Sequence, residues 1–395
     1  MTVAGIIAEY NPLHNGHAFL IGELRRMGAD CVAVVMSGNF VQRGEPSILS
    51  KWSRTRAALL SGADLVVELP LPWAVSGAQR FALGGVALLS ALGADWIGFG
   101  SECGNLDQLE EARHALASPL LHDQIKKSLQ SGATFASARQ EAVNSLFGSD
   151  TAVLLREPNN VLGIEYLQAI EHLNTDIKPH TVQRTPLLLS GAGESSDAAS
   201  SSAVRAKIFG GKPFSRYMPE EACRILKEEI ASGRAPAHIS FAERGVLACL
   251  RRMTPEQFSR LPDISEGLEN RIFAAVQKAG SVKELLESVK TKRYPMARIR
   301  RILLSAFLGI EASDSAGVPP YLRILGIGEN GEKVLRRAKE QNSIPFVSRY
   351  ADAARLSPHA RKIFELESQA SDLYALCMPQ VSSCGLDRTQ KLIVL

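Results

Sequence analysis

With 395 residues, 45% of them hydrophobic, and a formal net charge of +4, the chain has the composition of a globular protein and room for two domains, or for one large domain with an appendage. No apolar run approaches the roughly 20 residues that span a bilayer, and the N-terminus lacks a signal-peptide pattern, which favours a cytoplasmic location. The six cysteines contain no C-x-x-C pair, so neither a disulfide framework nor a metal site is expected from them.

The first hundred residues alternate between short apolar runs, which are typical of buried strands, and helical patterns. Each helical pattern ends in the same Gly-Ala-Asp turn, and glycine suits the position after a helix. Strands joined by helices predict a Rossmann-like α/β fold, with a parallel sheet covered on both faces. The predicted elements are, in chain order, Val3–Ala8, Ala18–Met27, Cys31–Met36, Leu49–Ser61, Leu65–Leu69, Ala78–Leu92 and Trp96–Phe99.

Beyond residue 105 helical patterns dominate, and one further strand is predicted at His180–Arg184. The Ser/Gly/Ala-rich segment Ser190–Ser202 is interpreted as a mobile loop that ends in a helix start. From Pro213 onward the chain is again mainly helical. The expected organisation is therefore an α/β domain at residues 1–210, followed by a mainly α-helical C-terminal domain at residues 211–395.

The sequence His-Asn-Gly-His at residues 14–17 lies between the first predicted strand and the first helix. His14 and His17 are therefore placed at the carboxyl end of a parallel strand, where open α/β sheets bind ligands. Imidazoles beside a helix N-terminus can donate hydrogen bonds to phosphate oxygens, and Gly16 lets a flat base or ribose approach the backbone. The pair suits adenylyl transfer, in which negative charge gathers on the α-phosphate and on the departing pyrophosphate.

The second link from strand to helix, residues 36–46, is long and carries polar groups and glycines. Long loops at the carboxyl ends of parallel strands usually contact substrate, so this interpretation is favoured over a surface excursion. The helix that follows carries Lys51, Arg54 and Arg56. Their positions fit either a phosphate clamp or a solvated helix face.

Three glycine- or serine-rich positions further along the chain are ambiguous. Gly100 ends the fourth strand, where a residue without a Cβ permits close approach of a ligand. Residues 200–205 form a hydroxyl-rich helix start, which fits an ordinary cap or a triphosphate site completed by Arg205. Residues 326–331 match G-x-G-x-x-G, but they lie outside the alternating region with no β-α-β unit expected after them, so a structural turn is favoured.

The stretch between Ser288 and Ile310 contains no acidic residue and several basic ones around Tyr294. A one-sign helix face with an aromatic neighbour suits an RNA backbone and an unstacked base, whereas a solvated face usually mixes both signs. The predicted RNA contacts are Lys290, Lys292, Arg293, Arg298, Arg300 and Arg301.

Taken together, these motifs resemble a known bacterial family. The His-x-Gly-His turn by itself resembles the nucleotidylyltransferase and class I tRNA-synthetase superfamily. The wider set of matching segments, in order over most of the chain, looks like the bacterial tRNA(Met) cytidine acetate ligase family. The segments that carry this resemblance are residues 9–17, 37–46, 50–52, 99–102, 158–166 and 292–294.

The resemblance implies an ATP-dependent ligase that forms AMP and pyrophosphate. Residues 1–210 would form a nucleotidylyltransferase-type domain that converts acetate and ATP into acetyl-adenylate, with Mg²⁺ bridging the triphosphate. Residues 211–395 would hold elongator tRNA(Met), whose wobble cytidine is acetylated on N4. Catalysis would fall to His14 and His17. The implied ATP-binding residues are Ile7, Ala8, Glu9, Tyr10, Asn11, Pro12, Leu13, His14, Asn15, Gly16, His17, Ala18, Phe19, Leu20, Gly100, Asn159, Asn160, Arg184, Ser202 and Arg205.

The chain departs from the family pattern at four positions: Leu13, Glu157, Ala203 and Pro295. None of these positions is a proposed catalytic group. On the residues alone, two other classes stay open, namely a nucleotidylyltransferase acting on a phosphorylated small molecule and a non-catalytic RNA-binding protein. Nothing in the sequence indicates the oligomeric state.

Overall fold

The computed structural model describes residues 1–130, 135–184, 200–265, 267–291, 293–341 and 344–395. In chain order the strands are β1 (Val3–Ala8), β2 (Cys31–Ser37), β3 (Phe40–Val41), β4 (Glu45–Pro46), β5 (Leu65–Leu69), β6 (Trp96–Ser101), β7 (Lys178–Gln183), β8 (Leu322–Ile327), β9 (Phe346–Val347) and β10 (Ile393–Val394). Within these residues one large sheet has the order β10-β8-β5-β2-β1-β6-β7, with β9 also paired to β8, and β3 and β4 form a separate small hairpin.

The five strands from β7 to β5 are parallel, as the alternating pattern predicts. Every residue of β1, β2 and β5 is buried, because helices cover both faces of the sheet. The helix predicted from Ala18 begins earlier, at Asn15, since His14 caps it. The other predicted strands and helices of this region match the observed ones to within two residues at either end.

The sheet is mixed rather than wholly parallel, because β8 pairs with β5 in the antiparallel direction. This strand comes from the C-terminal half, so the sheet crosses the predicted boundary at residue 210 and the second half is not purely helical. The connection before β8 is long and helical, which lets the chain enter the sheet from its opposite end. Strands β9 and β10 then pair with β8 in parallel.

The G-x-G-x-x-G segment ends β8 and packs against the turn that precedes β5. The Gly328 N–H donates to the Asp64 carbonyl at 2.7 Å. A Cβ on Gly331 would lie 2.2 Å from that same carbonyl oxygen, so only glycine permits this approach. The structural-turn interpretation agrees with this packing. However, the expectation that no β-α-β unit follows was wrong, because a helix and then β9 come next.

Helices fill the rest of the described chain. In chain order they are α1 (Asn15–Arg26), α2 (Lys51–Leu60), α3 (Leu71–Ala74), α4 (Ala78–Ala91), α5 (Leu106–Ala117), α6 (Pro119–Gln130), α7 (Phe135–Phe147), α8 (Ser149–Leu154), α9 (Pro158–His172), α10 (Ser201–Phe209), α11 (Glu220–Ala231), α12 (Glu243–Arg251), α13 (Pro255–Ser259), α14 (Leu268–Val276), α15 (Val282–Val289), α16 (Met296–Leu308), α17 (Gly331–Gln341), α18 (Pro358–Ala375) and α19 (Leu386–Thr389). Short 3-10 helices occur at Ser215–Tyr217, Ile239–Ala242, Ala312–Ser315 and Tyr350–Arg355.

Two large apolar cores lie on the two faces of the sheet, and a third holds α12 to α16 together with part of α18. Phe40 of the small hairpin is fully buried in the third core, which joins the hairpin to the C-terminal helices. In the described ranges no helix combines the length and the hydropathy that a membrane span requires. The predicted loop Ser190–Ser202 falls largely outside the described residues, which resume at Ser200.

Candidate active site

A cavity of about 850 Å³ opens at the carboxyl ends of β1, β6 and β7. Its walls come from the β1–α1 turn, the ends of β6 and β7, the start of α9, the start of α10 and the first turns of α16. The charged or histidine side chains that line it are Glu9, His14, His17, Arg43, Glu102, Arg156, Glu157, Arg184, Arg205 and Arg301. Cations outnumber carboxylates on these walls, so the cavity suits a polyanionic ligand.

The two histidines form a reciprocal cap on helix α1. His14 Nδ1 accepts the Gly16 N–H at 3.1 Å, and His17 Nδ1 accepts the His14 N–H at 3.2 Å. The two rings stack with their centroids 3.8 Å apart and an interplanar angle of 24°. Since each Nδ1 is an acceptor, each neutral ring carries its proton on Nε2. The turn therefore supplies two Nε2–H donors from one helix end.

The surroundings keep both imidazoles neutral. Burial, with the nearby Arg184 guanidinium as a smaller cause, lowers the pKa of His14 to about 3. Burial, His14 and Arg184 together lower the pKa of His17 well below its usual range. Near neutral pH the pair is thus uncharged, and it offers hydrogen-bond donors rather than fixed positive charge.

The residues just before the histidines hold the turn in place. Tyr10 adopts a φ of 47°, which is unusual for a residue with a bulky side chain, and its ring meets His17 edge-on at 4.9 Å. Asn11 is buried, and its side-chain oxygen accepts the Ile48 N–H at 2.9 Å. Arg205 donates to the Asn11 carbonyl at 2.7 Å. Asn11 therefore anchors the turn to the chain after the hairpin instead of lining the cavity.

Glu102 organises the far wall of the cavity. Its carboxylate accepts the Asn160 N–H at 2.8 Å and a hydrogen bond from the Asn159 side-chain amide, and so it caps α9 from another element. In return, the Asn160 side-chain oxygen accepts the Glu102 and Cys103 N–H groups at 2.9 and 3.1 Å. Asn159 reaches the cavity, whereas Asn160 is buried behind it.

Gly100 and Arg184 lie next to each other on the same wall. A Cβ on Gly100 would lie 3.0 Å from the Arg184 Cγ, so glycine leaves room for this side chain along the sheet edge. Burial lowers the pKa of Arg184, and the Glu102 carboxylate opposes that shift.

The small hairpin closes the cavity opposite the histidines and links it to α10. Arg43 Nη1 donates to the Ser202 Oγ at 3.2 Å, and Arg205 lies 3.1 Å from the Glu45 carboxylate. The Ser200 Oγ caps α10 by accepting the Ala203 N–H at 3.1 Å. The first residues of this helix therefore combine an ordinary cap with cavity-facing hydroxyl groups and an arginine. The loop over residues 36–46 reaches the cavity, as the sequence predicts.

The hairpin also contacts the predicted RNA-binding helix directly. Gly44 at the tip has a φ of 75°, and a Cβ there would lie 2.6 Å from the Arg301 backbone nitrogen. Arg301 itself lines the cavity and donates to the Asp263 carboxylate at 2.8 Å. A residue predicted only for RNA binding thus lies at the edge of the nucleotide-sized cavity as well.

The other members of the basic cluster are spread around α16. Arg298 donates to the Asp263 carbonyl and lies over the buried Tyr294 ring, and Arg300 is 3.9 Å from Glu45. Lys290 and Arg293 are exposed, and Lys292 falls outside the described residues. The cluster is therefore partly tied to acidic groups, and the fully one-sign face expected from the sequence was wrong because Asp263 and Glu45 come from distant segments.

Lys51 and Arg54 are neither a phosphate clamp nor a solvated face. Lys51 Nζ is buried and donates to Glu68 and Asp387 at 2.9 to 3.0 Å. Arg54 is buried and donates to backbone carbonyls, among them that of Glu9 at 2.6 Å. Arg56 is exposed, 3.7 Å from a glutamate of α11. Arg54 therefore joins the ends of β1 and β2, and Lys51 joins β5 to α19.

Most of the sequence-predicted nucleotide residues line the cavity, namely Ile7, Ala8, Glu9, Tyr10, His14, Gly16, His17, Phe19, Leu20, Gly100, Asn159, Arg184, Ser202 and Arg205. The other predicted residues do not line it, namely Asn11, Pro12, Leu13, Asn15, Ala18 and Asn160. The Asn160 side chain instead binds the backbone of Glu102 and Cys103. Sequence reasoning named no role for Glu102 or Arg43. The motif Gly-Ser-Glu at the carboxyl end of β6 was the available signal for Glu102.

Comparisons with known proteins agree with this geometry. A family model described as HIGH Nucleotidyl Transferase matches residues 1–388. The Rossmann-like sheet with a His-x-Gly-His corner thus defines a nucleotidyltransferase-class enzyme.

Relatives that match over the full length identify one family within this class. The chain is 37% identical to the tRNA(Met) cytidine acetate ligase of Acetivibrio thermocellus, and 37% identical to that of a Thermoanaerobacter species, over 100% of both partners in each case. The crystal structure of Thermotoga maritima TmcAL bound with alpha-thio ATP has a TM-score of 0.91 and 30% identity, again over 100% of both chains. The chain belongs to the tRNA(Met) cytidine acetate ligase family.

Proposed function

We propose that this enzyme activates acetate with ATP and acetylates N4 of the wobble cytidine of elongator tRNA(Met), giving N4-acetylcytidine. The observation that carries the proposal is the pair of neutral Nε2–H donors on His14 and His17, stacked 3.8 Å apart in a cation-rich cavity. The full-length relatives, which are tRNA(Met) cytidine acetate ligases, support the choice of acceptor. The analogue in the Thermotoga structure supports ATP as the nucleotide.

In the first step an acetate oxygen attacks the α-phosphorus. A bond from oxygen to phosphorus forms, the bond to pyrophosphate breaks, and acetyl-adenylate remains. Acetate is a carboxylate at neutral pH, so this step needs no general base. Negative charge grows on the α-phosphate oxygens and the leaving oxygen, where preformed donors stabilise the transition state more than the ground state. His14 and His17 would supply those donors.

The bound triphosphate also changes the histidines. An anion close to Nε2 favours the protonated imidazole, so we expect nucleotide binding to raise the pKa of both residues from their depressed values. The cost of charging them in a buried site limits that shift. The pair would therefore strengthen its interaction as phosphate charge accumulates.

The remaining ATP contacts follow from the cavity walls. Gly100 and Asn159 would border the adenosine, because this wall offers an open backbone edge and an amide fixed by Glu102. Ser202 and Arg205 at the start of α10 would hold the β- and γ-phosphates. Asn11 and Asn160 would act by positioning their neighbours.

Mg²⁺ fits this cavity only as an ion carried by the nucleotide. Among the described residues no group of three or more His, Cys, Asp or Glu side chains is arranged to hold a metal. Glu9 reaches the cavity with a carboxyl group whose pKa is raised by burial, and Glu102 is used by α9. Bound to the triphosphate, Mg²⁺ would neutralise charge on the leaving pyrophosphate, with most of its ligands coming from phosphate oxygens and water.

In the second step the cytidine N4 attacks the acetyl carbonyl. The new bond joins nitrogen and carbon, AMP leaves with the former acetate oxygen, and N4 loses one proton. The base must leave the anticodon stack to reach the cavity. Lys290, Lys292, Arg293, Arg298, Arg300 and Arg301 would hold the RNA backbone around α16, and Arg301 would stand where the RNA meets the nucleotide.

Pyrophosphate exchange separates this function from its alternatives. We expect acetate-dependent exchange of labelled pyrophosphate into ATP without RNA, and N4-acetylcytidine once the tRNA is added. Exchange that needs a phosphorylated metabolite in place of acetate would indicate an ordinary nucleotidylyltransferase. RNA binding without any exchange would indicate a non-catalytic protein, and either result overturns the proposal.

A further inference from the structure

The segment from Ser200 to Pro219 is rich in basic and aromatic residues. It carries four basic residues, three aromatic residues and no acidic one; these are Arg205, Lys207, Phe209, Lys212, Phe214, Arg216 and Tyr217. Basic residues interleaved with aromatic ones are typical of surfaces that bind unpaired nucleic acid. The structure describes the whole segment.

This segment begins at the cavity and continues beside the histidine turn. Ser202 and Arg205 of α10 line the cavity. Phe209 comes seven residues after Ser202 and four residues after Arg205, so it lies on the same helix face, about 6 Å along the helix axis from Arg205. Asn15 Nδ2 then donates to the Arg216 carbonyl at 2.9 Å, which fixes the end of the segment against the first residue of α1.

Phe209 is presented to solvent although it is a large apolar residue. Its side chain is 47% exposed, and its ring meets the exposed His238 ring edge-on, with the centroids 5.2 Å apart. His238 is held in position because its Nδ1 accepts the Ser240 N–H at 3.2 Å and lies 2.7 Å from the Ser240 Oγ. The two rings therefore lie together at the protein boundary, and Ser240 fixes the His238 ring.

Basic side chains occur along the same segment. Lys207 Nζ and Arg216 Cζ lie 5.1 and 4.8 Å from the centroid of the Tyr217 ring, so both cations are held against the aromatic ring near the end of the segment. Lys212 is exposed at the turn that follows Phe209. His238 also borders a second cavity with a mixed charged lining, in which Lys283 and Arg300 occur together with Glu45, Glu243 and Glu287.

We infer that Phe209 and His238 form a stacking platform for an unpaired base of the RNA substrate, next to the nucleotide that enters the cavity, while Lys207 and Lys212 contact the adjoining phosphates. This inference rests on the proposed function, since it concerns the same RNA. An RNA strand is favoured over a protein partner because all formal charges on the segment are positive and because the aromatic surface adjoins the cavity on one helix face.

Binding of an anticodon stem–loop of elongator tRNA(Met) to the full-length protein tests this inference. We expect F209A to raise the Kd by about fivefold or more, because base stacking on an aromatic residue contributes on this scale. F209W is expected to keep the affinity of the original chain, and its indole fluorescence should be quenched when the RNA binds. K212A is expected to weaken binding and to reduce its salt dependence.

The matched control is F147A, since Phe147 is 41% exposed and does not line the cavity. It should leave RNA affinity unchanged. Acetate-dependent pyrophosphate exchange without RNA is measured on the same preparations and should be equal in F209A and the original chain. Loss of exchange in the original chain would instead be a failure of the proposed function.

Three results would overturn the platform. The first is an F209A variant that binds the stem–loop within about twofold of the original chain while exchange persists. The second is a change of oligomeric state in F209A with RNA affinity unaltered, which would make this surface a contact between protein chains. The third is equal binding by F209L and F209W, because leucine has no π face.

Discussion

His17 caps the backbone N–H of His14, while His14 caps the N–H of Gly16, so two imidazoles close one end of helix α1 between them. The same hydrogen bonds that start the helix also place both protons on Nε2. Helix capping and the supply of donors to the cavity are thus properties of one turn. A substitution that keeps the helix cap and removes the imidazole donor can separate these two roles.

H14N is such a substitution, because asparagine is a good N-cap residue but has no imidazole. We expect acetate-dependent pyrophosphate exchange to fall about 10²- to 10³-fold, the effect of losing one preformed donor. The melting temperature should stay close to that of the original chain. H14A should lose the cap as well, at about 1 kcal/mol. H359A, at an exposed histidine of α18, is the control, and full exchange activity in H14N would refute the assignment.

The depressed pKa of His14 makes folding stability depend on pH. The unfolded chain takes up a proton at this residue near pH 6.5, whereas the folded chain does so only near pH 3. Lowering the pH from about 7.5 to about 5.5 should therefore reduce the free energy of unfolding by about 1.4 kcal/mol at this site. Because the pKa of His17 is also lowered, this residue too reduces the free energy of unfolding as the pH falls.

Urea unfolding of the original chain and of H14N at the two pH values measures this difference. The loss on acidification should be smaller in H14N by about the amount assigned to His14. Equal losses in the two proteins would mean that this histidine is not held neutral in the fold.

Glu102 is expected to control nucleotide affinity through helix α9. In E102Q the side-chain amide would face the N–H donors of Asn159 and Asn160. Only its oxygen can accept a hydrogen bond, since its nitrogen is a donor, so one of the two N–H groups would lose its acceptor. The KM for ATP should rise about tenfold, which corresponds to about 1.4 kcal/mol, with a smaller change in kcat. E111Q is the matched control, since Glu111 is exposed on α5 and does not line the cavity. Similar KM values for E102Q and E111Q would exclude this role.

The buried Lys51 should be needed for stability and not for phosphate binding. It neutralises Glu68 and Asp387, which belong to strand β5 and to the C-terminal helix α19. K51M leaves the buried Glu68 without its ion-pair partner and Asp387 with only the Arg323 guanidinium, 4.0 Å away, and we expect the free energy of unfolding to fall by about 3 to 5 kcal/mol. R56M, at an exposed position of the same helix, should change it by less than about 0.5 kcal/mol. A K51M variant with unchanged urea midpoint would contradict the ion-pair account.

Local patterns in the sequence were sufficient for the first half of the sheet. Val3–Ala8 and Cys31–Met36 are continuous apolar runs, and each is followed by a helix that ends at a Gly-Ala-Asp turn. Hydrophobic periodicity and the turns that end helices are local properties of the sequence. The parallel order of these strands and the location of His14 and His17 could therefore be predicted from residues close together in the chain. The family resemblance added the acceptor and the acid, which residue spacing alone does not encode.

Tertiary structure decided the features that depend on distant partners. Leu322–Ile327 joins the sheet antiparallel to Leu65–Leu69, a pairing between segments some 250 residues apart that no local pattern contains. Lys51 became a buried ion-pair partner because Asp387 comes from the far end of the chain. The sequence by itself determined the His-x-Gly-His corner, since its residues are contiguous in the chain. Only folding determined which cations face the cavity, because burial and pairing are set by contacts across the whole chain.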